Sequence, residues 1–208
     1  MSSCRVALAE HRYTWRHNQV LKEVAHHIIQ LKDSKLKPTG HNQIEFVKAG
    51  HSTPAFSTYR KQHVNNGIFH SATDWEVQVD IGKQVSVPSH ILRTQLRPDM
   101  IITSASSKCI VLIELTVPWE DRFDEAHELK FAKYEPILLE AQRKGWRALC
   151  FPIEVGCRGF IGKSTVKMFK SLGMSSMNVK KACLSITEIA EKSSRWLWLR
   201  HGPAWLPQ

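Results

Sequence analysis

Two carboxylates stand where apolar runs begin and end. Asp99 precedes Met100, Ile101 and Ile102, and Glu114 follows the run Cys109 to Ile113, with fourteen residues between the two acids. Side chains alternate along a strand, so Glu114 shares a face with Leu112 and Ile110. If residues 99–103 and 109–116 pair as a hairpin, Asp99 at one strand's start comes beside Glu114 at the other's end. Two carboxylates at one sheet end offer the hard oxygens that Mg²⁺ takes, with water completing its shell. A cation held there polarises a phosphodiester and yields hydroxide from bound water. The plainer reading is two solvated strand ends. Against it, an acid behind Val111, Leu112 and Ile113 is costly to bury unless paired or metal-bound. Glu23 on a first helix and Asp80 at a strand end are further acids that could join, although a wet helix face and a solvated strand end explain them as well.

The elements that must position these acids are legible in the apolar spacing. WRHNQVLKEVAHHIIQLK (15–32) places Val20, Leu21, Val24, Ile28 and Leu31 on one helical face. IEFVKA (44–49) reads as a short strand among the glycines and prolines of 38–74, and WEVQVDI (75–81) alternates as a half-buried strand. CIVLIELTV is apolar at nearly every position, as in a central strand covered on both faces. Residues from Asp121 to about Lys144 predict a helix that Pro136 should kink or divide near Tyr134. RALCFPIEV (147–155) is a fourth strand. A glycine loop follows, then Ser164 as an N-cap, the helix TVKMFKSL ending before Gly173, and a last helix over 178–199. The order predicts an α/β fold: helix, three strands, helix, strand in a mixed sheet, with C-terminal helical additions.

The chain of 208 residues is long enough for one buried core, expected over 15–208 with 1–14 as an N-terminal tail. No apolar run approaches a membrane span, no secretory leader is evident, and the five cysteines form no CxxC pair, pointing to a reducing compartment. The net charge of +10 is unevenly spread. Residues 1–72 carry ten Lys/Arg against four Asp/Glu, residues 73–145 nine against twelve, and residues 146–208 ten against three. An acidic centre between basic flanks fits a cation site flanked by surfaces that hold a polyanion; ordinary solvation is the alternative.

Seven stretches carry a resemblance: RYTWRHNQVL (12–21), DWEVQVD (74–80), LRPDMIITS (96–104), ELTVPWEDR (114–122), ELKFAKY (128–134), IEVGCRGF (153–160) and SRWLWLR (194–200). Pro98-Asp99 followed at this spacing by Glu114 resembles the PD-(D/E)XK nucleases, the restriction-endonuclease-like superfamily, whose core has a similar order of elements. The set is closer to the restriction-like endonuclease domain that ends site-specific non-LTR retrotransposon polyproteins. The resemblance implies DNA nicking with Mg²⁺ (Mn²⁺ also possible), Asp99 and Glu114 as metal ligands, and a nick that primes reverse transcription. The superfamily's lysine two residues after the glutamate is Thr116 here. In the retroelement branch it comes instead from a Lys-x-x-Lys-Tyr run, matched by Lys130, Lys133 and Tyr134; of the two lysines Lys130 is favoured. DNA contacts are expected from Arg16, His17, Arg97 and the stripe Lys163, Lys167 and Lys170, with a solvated face as the alternative for the stripe. Cys4 falls where the last cysteine of an upstream zinc knuckle would lie, but three ligands are missing and no zinc is expected. No YxDD-like run occurs, so the reverse transcriptase portion is absent from this chain, which reads as an isolated nuclease module, nuclear by its inferred role. The rival reading is a catalytically inactive DNA-binding module or retroelement remnant.

Two motifs count for less. Gly156 to Ser164 resembles a phosphate-binding P-loop but has five residues where the loop needs four, which misregisters its amides. Trp196, Trp198 and Trp205 could stack on bases; packing of a terminal helix is the preferred use.

Overall fold

The computed structural model describes residues 5–36 and 67–200. The strand expected at 44–49 and Trp205 lie outside these residues. α1 spans Arg5–Ala9 and α2 spans Arg12–Leu36. Four strands follow: β1 Glu76–Val79, β2 Met100–Ser104, β3 Cys109–Thr116 and, after the helix α3 Phe123–Arg143, β4 Arg147–Glu154. α4 Lys163–Leu172 and α5 Ser176–Leu199 complete the chain. The sheet order is β1-β2-β3-β4, antiparallel at the first two interfaces and parallel at the third. This is a mixed α/β architecture.

Burial explains the apolar runs. All five residues of β2 and the first seven of β3 are buried. Met100, Ile102, Val111, Ile113 and Leu115 face one core, with Val24 and Ile28 of α2, Phe169 of α4 and Ile186 of α5. Ile101, Ile110 and Leu112 face the other, with Tyr134, Ile137 and Leu138 of α3. The central strand thus needs no polar alternation, because both its faces are dry. Ile91 and Leu92, in the irregular segment before β2, close the second core.

Four local expectations change. α2 starts at Arg12, not Trp15, because Arg12 is buried and donates to the Arg200 carbonyl at 2.7 Å, tying the helix start to the end of α5. Residues 5–9, expected as tail, form α1 and pack on α2. α3 runs unbroken through Pro136. Pro136 and Ala132 are both exposed, so the carbonyl left without an amide partner faces water rather than the core. Gly162, not Ser164, is the N-cap of α4, since the Ser164 hydroxyl is drawn to Glu154. Gly173 ends α4 at φ 104°, the left-handed conformation expected of a glycine there. Among the described residues no helix is long and apolar enough to cross a membrane.

Candidate active site

The β2–β3 register decides where the two acids fall. Met100 pairs with Ile113 and Ile101 with Leu112, so one further step along the ladder sets Asp99 opposite Glu114. Period-two alternation then places both side chains on the α3 face, with Ile101, Leu112 and Ile110 beneath them. The acids are laced together. The Leu115 amide donates to Asp99 Oδ2 at 2.7 Å, and the Asp99 amide donates to Glu114 Oε2 at 3.3 Å.

α3 supplies the cations. Tyr134, Ile137 and Ala141 form its inner face, and Lys130, one turn before Tyr134, extends that face to the sheet end. Lys130 Nζ lies 2.5 Å from Glu114 Oε1, and Lys133 Nζ lies 3.5 Å from the same oxygen. The Tyr134 hydroxyl sits 2.8 Å from Glu114 Oε2 and 2.9 Å from the Arg97 carbonyl. Burial, then the adjacent Glu114 charge, pushes the Tyr134 phenol far above its ordinary range, so it stays a donor. Glu114 is only 3% exposed. Its charge is therefore met by an ammonium, a phenol and an amide, which is what a buried carboxylate requires.

α2 closes the other side. His17 Nε2 lies 3.2 Å from both Asp99 Oδ2 and the Leu115 carbonyl. Burial alone would lower the His17 pKa, but the hydrogen bond and charge of Asp99 outweigh it and raise it. Tyr13, Arg16, His17, Asp80, Asp99 and Lys130 are among the residues that line a cleft of about 510 Å³.

The donor set fits a hard cation. Asp99, Glu114 and the Leu115 carbonyl are oxygens in one corner, and among the described residues no hydrogen bond reaches Asp99 Oδ1. No group of three or more His, Cys, Asp or Glu side chains among the described residues is arranged to hold a metal. A site here would rest on two carboxylates, a carbonyl and water, a set Mg²⁺ accepts.

Asp99, Glu114, Lys130, Lys133 and His17 thus converge. Arg16 reaches the cleft wall, and Asp80 lines it. Arg97 contributes its carbonyl to Tyr134, while its side chain is exposed. Glu23 does not join: it accepts from Ser185 of α5. Lys163, Lys167 and Lys170 are exposed on α4 and do not line the cleft. Lys167 instead lines a separate hollow with His70 and Arg147. The Gly156–Gly162 loop spends amides internally, Gly156 on Phe160 and Gly159 on Gly156, so it offers no P-loop cradle.

Glu154 escaped the sequence reading. It is 3% exposed, opposes Thr116 across the β3–β4 ladder, and holds His127 Nδ1 at 3.0 Å and the Ser164 hydroxyl. The signal was present, since Glu154 follows Cys150-Phe-Pro-Ile153 much as Glu114 follows its own apolar run. No family model matches the chain, and no curated protein matches it.

Proposed function

We propose that this chain is a divalent-metal-dependent DNA endonuclease with a restriction-endonuclease-like core, of the kind that nicks target DNA for retroelement integration. The observation that carries the reading is the convergence of Asp99 and Glu114 at one strand end, with Lys130 2.5 Å from Glu114. Asp99, Glu114 and the Leu115 carbonyl would hold Mg²⁺ or Mn²⁺, which when bound supplies Lewis-acid charge to a phosphodiester. Lys130 would offset negative charge developing on the phosphate, with Lys133 in support. The Tyr134 hydroxyl fixes Glu114 Oε2 in place, and His17 braces Asp99 at the cleft wall. Arg16, at the cleft wall, would receive the DNA backbone, since a guanidinium fork matches phosphate geometry. In a retroelement the nick would free the 3′ hydroxyl that primes reverse transcription, work done in the nucleus.

The test is nicking of supercoiled plasmid with Mg²⁺ or Mn²⁺ against a chelator control. Open-circle product is expected from the native protein and not from Asp99→Ala. Undiminished nicking by Asp99→Ala would exclude this site. Retention of DNA without product under either metal would favour the inactive DNA-binding module instead.

A further inference from the structure

A second cavity of about 480 Å³ shares Tyr13, Arg16 and Val117 with the catalytic cleft, so the two have a common wall. Its other walls include Trp119, Arg158, Arg195 and Trp198. Aromatic faces and guanidinium groups alternate there. The Arg16 guanidinium lies 5.4 Å from the Tyr13 ring centre, and that of Arg158 lies 5.6 Å from the Trp119 ring centre. Trp198 is 58% exposed although it belongs to the last turns of α5.

Arg16 is the residue that asks for a ligand. It is 8% exposed, yet among the described residues no carboxylate pairs with it. One terminal nitrogen donates to the Val117 carbonyl at 2.9 Å and the other reaches Ser194 Oγ at 3.5 Å. Nε is buried, with no acceptor among the described residues. Burial pushes its pKa down, with no carboxylate among the groups that offset this. A guanidinium taken from water without a counter-ion is costly, and an anion arriving at this wall relieves that cost.

We propose that this cavity binds the base of an unpaired DNA nucleotide next to the scissile phosphate, with that nucleotide's own phosphate on Arg16. The proposal rests on the nuclease reading of the neighbouring cleft and adds the strand state of its substrate. Stacked base pairs cannot enter a concave pocket, whereas a base out of the stack can lie against tryptophan or arginine planes. The size suits such an occupant, since small-ligand pockets span about 300–1,000 Å³. The charge also suits it: among the described residues Arg16 and Arg195 have no acid partner, and Glu191 is the one acid that lines this wall.

The experiment is fluorescence anisotropy in chelator, comparing a labelled single-stranded oligodeoxynucleotide with a blunt duplex of equal length. Trp119→Ala and Trp198→Ala are each expected to weaken single-strand binding on the order of 10-fold, leaving duplex binding unchanged. Trp119→Phe should restore most of the loss, and circular dichroism confirms that each variant is folded. Native-like single-strand affinity in both alanine variants overturns the proposal, as does equal loss for single strand and duplex. A concentration-dependent dimer that both variants dissociate also overturns it, in favour of a second copy of the chain. Because binding is read without turnover, a protein that fails to nick plasmid but shows the tryptophan-dependent preference refutes only the hydrolytic reading. One that nicks but ignores both tryptophans refutes only the cavity.

Discussion

Replacing Lys130 by methionine isolates the contact that makes a buried Glu114 tolerable. Methionine keeps the stem that packs along α3 and removes the ammonium 2.5 Å from Oε1. Glu114's side chain is 4% exposed and that of Lys130 29%, so water screens little of the acid's end. A hydrogen bond to a charged group contributes about 1.5–3 kcal/mol. Lys133 reaches the same oxygen at 3.5 Å with 40% of its side chain exposed, and belongs with surface pairs at about 0–1 kcal/mol. For a chain of this length Lys130→Met should lower Tm by about 3–12 °C, and Lys133→Met by no more than about 4 °C. A double-mutant cycle of Lys130→Met with Glu114→Gln, by urea unfolding at neutral pH, should show a coupling of about 1–3 kcal/mol. On supercoiled plasmid, Lys130→Met should cut kcat by on the order of 10²–10³, with Lys133→Met much milder. Equal losses from the two lysine variants, or a coupling near zero, would refute the assignment of Lys130 as the partner of Glu114.

Gly67→Ala should destabilise the fold by at least about 1–3 kcal/mol, since overpacking is poorly relieved between two backbones. The added Cβ would fall 2.1 Å from the Gly173 Cα; an unchanged melting temperature would show that the two segments are not so apposed. Cys150 should resist iodoacetamide in the native state, because burial and then the Glu114 charge push its thiol up to about 12. The native rate near neutral pH should be lower than that of the unfolded chain on the order of 10³-fold. Glu114→Gln removes the second of these causes and should speed labelling, with peptide mass spectrometry locating it. Asp74 accepts from the Ser106 hydroxyl, the Ser104 hydroxyl and the Ser106 amide, which hold its carboxyl well below the usual range. A depressed folded pKa contributes stability above the unfolded value that is lost as pH falls toward the folded one. Asp74→Asn should therefore melt below wild type at neutral pH, with the gap closing in acid; a gap independent of pH would refute that.

What the sequence by itself determined is what depends on near neighbours. The doubly apolar run of β3 announced a central strand, and Gly173 announced the end of α4. The spacing of Asp99 and Glu114 announced their convergence, because a short turn leaves a hairpin little freedom of register. Lys130 and Lys133 were found through resemblance; only the packing of α3 shows that both reach the acid and that Lys130 lies the closer. Tertiary structure alone decided the rest. It took Glu23 to α5, carried Lys167 to another hollow and left Arg16 buried beside two cavities. It also brought His127 and Ser164 to Glu154 from separate helices. These outcomes turn on contacts between segments far apart in the chain, and no local pattern records which partner a side chain meets once the layers close.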